Sequence, residues 1–331
     1  MATIREVAAL AGVSVATVSR LINRNGYVNK ETERKIQQAI EELNYHPSSI
    51  ARGLAGKRMD VVALVVPDIS NPFFPELARA VEDLCLSRGY TLILCNSDND
   101  REKELAYMKS LHRNSVAGFI CASDSLLQED LQELRQSGTP IVMLDRSGNA
   151  DDCSIIRADN RKGAALAVQH LLDKGCRKIA HIYGPQSIVT ARERLEGYEQ
   201  IAQQYAWYTP SLLIPGDFRM ESGIEAVQLL LERHPDVDGI FAGNDMMAIG
   251  ALKGLIRQGI QVPEQIALCG FDGIGMTRMT EPELTTIAQP IGEMGRMAAE
   301  ILIGKIESNG GENRFYELDV QLIERSSTSS T

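Results

Sequence analysis

The order of apolar and polar residues changes character along the chain. Near the N-terminus, apolar residues recur every three or four positions, which is the spacing that places them on one face of a helix. From Met59 onward, short apolar runs alternate with amphipathic windows of helical period. Strands interleaved with helices in this way predict parallel sheets joined by right-handed helical crossovers.

The N-terminal pattern predicts three short helices. The apolar stripe of the first comprises Ile4, Val7, Ala8, Leu10 and Ala11, that of the second Val18, Leu21 and Ile22, and that of the third Ile36, Ala39, Ile40 and Leu43. Gly12 can end the first helix in the left-handed conformation, Ser14 can cap the second, and the third follows Asn29. Two helices joined by a short turn form a helix-turn-helix, whose second helix enters the major groove of DNA.

The rest of the chain is predicted to be an α/β body. Eight strand-like runs stand out, namely VVALVV, YTLILCN, AGFICA, PIVMLD, IIRADN, KIAHIYG, DGIFAGN and QIALCGFD. Roughly ten strands would be more than one open sheet usually holds, so we expect two lobes, each a doubly wound parallel sheet. The C-terminal SSTSST is expected to fray.

Composition narrows the class of protein. Of the 331 residues, 44% are hydrophobic and 24% charged, as in a globular protein. The longest apolar run is only strand length and no secretory signal is visible, so we expect a cytoplasmic protein that makes no membrane contact. The six cysteines are scattered without a C-x-x-C pair, which predicts reduced core thiols rather than disulfides or a metal site.

Charge separates the two parts of the chain. Residues 1–58 hold nine Lys and Arg against five Asp and Glu, whereas the whole chain has a formal net charge of -10. A basic N-terminal segment on an acidic body suits a protein in which only that segment meets DNA. The predicted DNA contacts lie at the start and on the exposed face of the second helix, at Ser14, Val15, Ala16, Thr17, Arg20 and Asn23. A helical cap on a larger domain would show the same three-helix pattern, so both interpretations stay open here.

Two long motifs carry a resemblance to a known family. The stretches TIREVAALAGVSVATVSRLIN and YVNKETERKIQQAIEELNYHPSSIARGLAGKR, together with the α/β body, resemble the LacI family of bacterial repressors over essentially the whole chain. The resemblance implies a headpiece (1–47), a hinge that becomes helical on operator DNA (48–58), and a periplasmic-binding-protein-like body with an N-terminal lobe (59–159 and 290–318) and a C-terminal lobe (160–289 and 319–331). Leu54 stands at the position of the leucine that wedges into the minor groove. Ala55 follows it, where relatives often carry a basic residue.

The body shows no catalytic signature but holds a set of complementary side chains near strand ends. No G-x-S-x-G, H-E-x-x-H or P-loop is present, and the five histidines are dispersed, so we expect neither an enzyme nor a cofactor. The candidate ligand-binding residues are Asn71, Phe73, Phe74, Asp145, Arg146, Arg194, Phe218, Asn244, Asp272 and Gln289. Aromatic rings suit the C–H faces of a sugar, and carboxylates, guanidinium groups and amides suit its hydroxyls. About two carboxylates against two arginines predict a nearly neutral pocket for an uncharged ligand.

The same ten positions match the pocket of the ribose-binding members of the periplasmic binding-protein fold. The resemblance therefore implies a homodimeric repressor that D-ribose releases from a pseudo-palindromic operator. A second hypothesis within the family is a purine or phosphocarrier corepressor, since the aromatic pair could stack a purine. A third is a transport or chemotaxis sugar-binding protein, which the N-terminal helices oppose. An enzyme stays open only if chemistry lies in the cleft of Asp145 and Asp272.

Overall fold

The computed structural model describes residues 2–22, 26–45, 60–122, 129–130, 132, 136–145, 152–308 and 310–329. The chain divides into two compact units, residues 1–59 and residues 60–331. Some predicted residues lie outside the described ones: the DNA contacts Asn23 and Leu54, the ligand contact Arg146, and the whole 48–58 hinge.

The first unit contains the three predicted helices, α1 (Ile4–Ala11), α2 (Val15–Ile22) and α3 (Lys30–Glu42). Each begins at a side chain that satisfies backbone N–H groups left free at a helix start. Thr3 and Glu6 form a capping box at α1, and Asn29 accepts a hydrogen bond from the Thr32 amide at α3. Gly12 ends α1 with φ of 67°.

The small core of this unit follows the predicted stripes with one exception. Val7, Val18 and Ile36 are fully buried, whereas Leu10 is 47% exposed. At 3.6 residues per turn, Leu10 lies roughly 110° from the centre of the face that α1 buries, so its apolar side chain points away from the other helices. The prediction that Leu10 belongs to the buried stripe was wrong.

The second unit, the body, contains two six-stranded sheets. The first sheet has the order β11-β5-β4-β3-β1-β2 and is parallel throughout; its strands are β1 (Val61–Val66), β2 (Thr91–Asn96), β3 (Gly118–Cys121), β4 (Ile141–Leu144), β5 (Ser154–Ala158) and β11 (Phe315–Leu318). The second has the order β12-β10-β9-β8-β6-β7; its strands are β6 (Ile179–Tyr183), β7 (Leu213–Pro215), β8 (Gly239–Ala242), β9 (Ala267–Asp272), β10 (Thr285–Ala288) and β12 (Gln321–Ile323).

Helices cover both faces of each sheet. They are α4 (Phe73–Ser87), α5 (Arg101–Arg113), α6 (Asn160–Asp173), α7 (Val189–Ala202), α8 (Met220–Arg233), α9 (Asp245–Arg257) and α10 (Ile291–Glu307). Apolar residues of α4 and α10 pack on one face of the first sheet and those of α5 on the other. Likewise α6 and α7 pack on one face of the second sheet, and α8 and α9 on the other. The α/β fold with two wound sheets is confirmed.

The chain crosses between the sheets three times. It leaves the first sheet after Ala158, returns from the second after Ala288, and leaves the first again after Leu318. In proteins made of two lobes, such connecting segments are where hinge motions occur.

Three details of the body differ from the sequence expectation. Four short strands were not among the strand-like runs, namely β7, β10, β11 and β12, because none of them has more than two consecutive apolar residues. β12 pairs with β10 antiparallel, so the second sheet is not purely parallel. The C-terminal tail was expected to fray, but it is packed against the body up to Ser329. Ser327 is fully buried, and its hydroxyl donates to the Leu268 carbonyl at 2.6 Å.

Five of the six cysteines are buried, and none is joined in a disulfide. Burial raises the pKa of Cys176 to about 12, so that thiol stays protonated. Within the described part of the chain, no helix is both long and apolar enough to cross a bilayer, and no group of His, Cys, Asp or Glu is arranged to hold a metal ion.

Candidate functional site

The N-terminal end of α2 presents most of the predicted DNA contacts to solvent. Ser14 caps the helix by accepting a hydrogen bond from the Thr17 amide at 3.1 Å, and the two hydroxyl groups lie 2.8 Å apart. Val15 is 41% exposed although it is apolar, and Ala16 and Arg20 are exposed as well. The side chains of Ser14, Val15, Ala16 and Arg20 therefore form one accessible surface, as contact with the bases of a major groove requires.

Gly26 lies close to the side chain of Arg20. Gly26 has φ of 115°, and a Cβ atom there would lie 3.0 Å from Cδ of Arg20. A larger residue would be strained by its backbone and would push this arginine aside. The next residue, Tyr27, is 87% exposed, and the helical periodicity did not single it out.

In the body, the predicted ligand-binding residues converge on one cavity. All nine that the structure describes line it: Asn71, Phe73, Phe74, Asp145, Arg194, Phe218, Asn244, Asp272 and Gln289. The cavity has a volume of about 290 Å³, near the lower end of the roughly 300–1,000 Å³ of small-molecule sites. Because parallel strands end at one edge of their sheet, residues far apart in sequence meet here.

Arg194 forms the centre of the buried wall of the cavity. Its Nη1 donates to the Gly243 carbonyl at 2.6 Å and lies 3.1 Å from Oδ1 of Asp272. Its Nε donates to Oδ1 of Asn160 at 2.9 Å. The guanidinium carbon also lies 3.9 Å from the ring centroid of Phe271, a cation–π contact. These contacts fix the guanidinium orientation before any ligand binds.

Asp272 is the carboxylate paired with this arginine. Its Oδ1 also accepts a hydrogen bond from Nε2 of Gln289 at 2.8 Å, and only 4% of the residue is exposed. Burial raises the pKa of Asp272, while Arg194 opposes that shift. The Oε1 atom of Gln289 is buried and has no hydrogen-bond partner among the described residues, so a ligand hydroxyl could donate to it.

A second buried carboxylate, Asp245, lies behind Asp272. It accepts hydrogen bonds from the Gly273 and Ile274 amides at 2.7 and 2.9 Å and from the Thr286 hydroxyl at 2.6 Å. Burial raises its pKa well above the ordinary range, and the charge of Asp272 adds to the shift. Asp245 therefore holds the loop that follows β9, a role that no motif in the sequence indicates.

Aromatic rings form the apolar part of the cavity. Phe73 and Phe74 meet edge to face with centroids 5.1 Å apart. The ring of Phe218 lies against Gly184, where a Cβ atom would come within 2.3 Å of the ring, so any larger residue at position 184 would displace it.

The cavity also concentrates unusual backbone conformations. Seven described residues other than glycine have positive φ, and the five of these that line the cavity are Asp98, Asn99, Asp145, Phe218 and Asp272. Such conformations cost of order 1–3 kcal/mol each and persist where the surrounding structure enforces them. Their concentration here is typical of a binding site.

The expectation of a nearly neutral pocket was wrong. The lining also includes Asp68, Asp98, Asp217 and Arg219, so five carboxylates stand against two guanidinium groups among the described residues. These loop residues follow strand ends without a motif, and only the tertiary structure shows that they face the cavity. Arg192, two residues before Arg194 on α7, donates to the Gln186 and Ser187 carbonyls.

A hydrogen bond and a longer-range charge interaction link the two lobes. Oε1 of Glu76, on α4, accepts a hydrogen bond from the Gly275 amide of the other lobe at 2.9 Å. Arg219 of the second lobe contributes to lowering the pKa of Asp98, behind the hydrogen bonds from Lys103 and Asn96. The lobes thus contact each other beyond the three crossings.

Some side chains have structural roles beside the cavity. Asn244 accepts a hydrogen bond from the Met247 amide at 2.9 Å and so caps α9, while its Nδ2 donates to the Phe218 carbonyl at 3.0 Å. A capping role and a ligand-facing position are therefore compatible.

Comparisons with known proteins agree with this architecture. Residues 3–48 match the family described as bacterial regulatory proteins, lacI family, and residues 59–326 match periplasmic binding proteins and sugar binding domain of LacI family. A ribose operon repressor of Halalkalibacterium halodurans is 42% identical over 328 residues, covering 99% of this chain and 97% of that protein.

Solved structures give the same result. A LacI family transcriptional regulator from Enterococcus faecium with bound ribose is 33% identical, with a TM-score of 0.74 over 81% of this chain and 98% of that one. The Lac repressor dimer bound to operator and the anti-inducer ONPF is 26% identical, with a TM-score of 0.86 over 99% of each chain.

Proposed function

Because the chain belongs to the LacI family of bacterial regulatory proteins, we propose that it is an operator-binding repressor whose body binds D-ribose. It is a regulator of transcription and not an enzyme. The observation that carries the ligand assignment is the convergence of nine predicted residues on one cavity whose walls combine aromatic rings with buried hydrogen-bonding groups.

The chemistry of the cavity favours a small neutral polyol. Asp272, Arg194 and Gln289 can accept from or donate to sugar hydroxyls, and the rings of Phe73, Phe74 and Phe218 can pack on C–H faces. Five carboxylates against two described guanidinium groups would repel a phosphate ester. The ribose-bound relative and the ribose operon repressor support D-ribose as the occupant.

The N-terminal unit supplies the DNA contacts in this proposal. Ser14, Val15, Ala16, Thr17 and Arg20 would meet base edges and phosphates, with Asn23 completing the set. Leu54 of the 48–58 hinge would insert into the minor groove between the half-sites. Two copies of the chain would bind a pseudo-palindromic operator in the cytoplasm, as the operator-bound dimeric relative suggests.

Induction follows from lobe closure. The sugar would contact residues of both lobes, including Asp145 and the undescribed Arg146 on one side and Asp272 on the other, and would thereby favour one lobe orientation. That orientation would separate the paired hinges and lower operator affinity. By linkage, operator DNA must lower ribose affinity by the same factor.

Calorimetric titration of the full chain tests the ligand assignment. We expect saturable binding of D-ribose, weaker binding of other pentoses and hexoses, and no binding of ribose 5-phosphate, hypoxanthine or guanine. Operator titrations with and without D-ribose, at one fixed salt concentration, then test release. Purine binding without ribose binding would be consistent with a repressor but would refute D-ribose as its effector. Identical operator affinity with and without D-ribose would refute induction.

A further inference from the structure

A chain of polar contacts runs from the cavity to the other lobe through the first crossing. Asp272 contacts Arg194, whose Nε donates to Asn160 at 2.9 Å. Nδ2 of Asn160 in turn donates to Oε2 of Glu193 at 3.4 Å. Oε1 of Glu193 lies 3.2 Å from Nη1 of Arg157, which belongs to β5 in the first sheet.

This chain, which we call the hinge relay (Asp272, Arg194, Asn160, Glu193 and Arg157), passes through a point about which the lobes can move. Asn160 is the first residue of α6, directly after the crossing that leaves β5, and its side-chain Nδ2 also donates to the Ala158 carbonyl at 2.9 Å. One side chain therefore contacts the end of the first sheet, the cavity arginine and the Glu193 carboxylate. A rotation at this crossing must change at least one of these contacts.

The relay is buried, which makes its arrangements discrete. The side chains of Glu193 and Arg194 are each 5% exposed, and that of Arg157 is 14% exposed. A charge that loses its partner in such surroundings is strongly destabilising, so the network must exchange partners rather than stretch gradually. The buried Nε of Arg157 has no hydrogen-bond partner among the described residues, so it can take up an acceptor when partners exchange.

We propose that Glu193 is a positioning residue that couples occupancy of the sugar cavity to the relative orientation of the two lobes. It does not touch the ligand. It holds Asn160 and Arg157, and Asn160 holds the guanidinium that the ligand meets. The inference rests on the proposed function, because coupling is measured as the effect of D-ribose on operator binding.

Helix α7 provides a matched control one turn away. Arg161 donates to both Glu193 and Glu196, at 2.9 and 2.6 Å. The side chain of Glu196 is 53% exposed, and among the described residues it pairs with Arg161 and not with Arg157. Glu193→Gln and Glu196→Gln therefore make the same chemical change on one helix, and only the first removes a charge from the relay.

The experiment measures the coupling factor, which is the ratio of operator dissociation constants with and without saturating D-ribose. We expect Glu193→Gln to reduce this factor about tenfold relative to wild type and Glu196→Gln to leave it within twofold. Glu193→Asp, which keeps the charge, should recover part of the loss. Arg157→Gln changes the partner of Glu193 in the other lobe and should reduce the coupling factor in the same way. This variant provides the test if Glu193→Gln fails to fold.

The outcomes separate the two proposals. A wild-type protein that binds no ribose or shows no coupling refutes the proposed function itself. A wild type with normal coupling, together with a folded Glu193→Gln variant whose coupling factor is unchanged, overturns the role of Glu193. Equal losses in Glu193→Gln and Glu196→Gln also overturn it, since they would indicate a general effect of charge on α7. A lower melting temperature with unchanged coupling would show a purely structural role.

Discussion

Replacing Asp272 by Asn tests the electrostatic centre of the cavity. The substitution keeps the size of the side chain and one acceptor oxygen but removes the charge that faces Arg194 at 3.1 Å and Gln289 at 2.8 Å. Arg194 would then keep only neutral hydrogen-bond acceptors, the Asn160 side chain and the Gly243 carbonyl. Ligand binding and folding should both respond.

The loss of ribose affinity follows from hydrogen-bond energies. A bond to a charged group contributes about 1.5–3 kcal/mol, against about 0.5–1.5 kcal/mol for a neutral one. Removing the charge should therefore cost about 1–2 kcal/mol of binding free energy, which corresponds to a dissociation constant about five- to thirtyfold higher.

Stability should change less than for an ordinary buried ion pair. Breaking such a pair costs about 3–5 kcal/mol, but here the loss also removes the repulsion between Asp272 and Asp245 that contributes to raising the pKa of Asp245. We therefore expect the free energy of unfolding to fall by about 1–3 kcal/mol.

Calorimetry with D-ribose and urea unfolding measure the two quantities. Asp217→Asn is the control, because Asp217 also lines the cavity but is exposed and accepts a hydrogen bond from the Arg219 amide. Its ribose affinity should stay within about threefold of wild type. Wild-type affinity in Asp272→Asn, or an equal loss in Asp217→Asn, would refute the reasoning.

Three further predictions concern other parts of the chain. Burial lowers the pKa of His181 to about 4, so the stability that its neutral form contributes is complete above pH 6.5 and is lost as the pH falls toward 4. Urea unfolding should show a loss of about 3 kcal/mol over that interval, and a smaller loss in His181→Phe; equal pH profiles would contradict the assignment. Glu76→Gln should weaken the hydrogen bond from Gly275 between the lobes and raise the dissociation constant for D-ribose about two- to fivefold in calorimetry, and unchanged affinity would mean that this contact does not favour closure. Arg20→Ala should lower operator affinity about tenfold or more in fluorescence anisotropy, and Arg34→Ala, the control with the same charge change on α3, should lower it less; equal losses would indicate a purely electrostatic contribution.

The sequence predicted those features that depend on neighbouring residues. The cap at Ser14, the start of α3 after Asn29, the left-handed Gly12 and the main strand runs all appear where the pattern placed them. Helix and strand periodicity are local properties of the chain, and so are the preferences of capping side chains. Leu10 was misassigned because an apolar residue at the margin of a stripe does not show on which side of the margin it lies.

The sequence also placed candidate residues near strand ends, and the wound topology brings nine of them to one cavity. It could not show that Asp68, Asp98 and Asp217 face the same space, since nothing in a loop indicates its direction. The sequence also did not show that β12 pairs with β10 or that Ser327 is buried, since both depend on where the C-terminal tail packs.

What the sequence by itself determined is therefore the family, the helices of the N-terminal unit and the alternation that produces two wound sheets. The tertiary structure alone decided the partners of the buried charges: Asp245 behind Asp272, and Glu193 between Asn160 and Arg157. Apolar burial depends mainly on the amount and spacing of apolar surface, which local sequence encodes. A buried charge depends on one partner at one distance, and that distance exists only once both lobes and their crossing have formed.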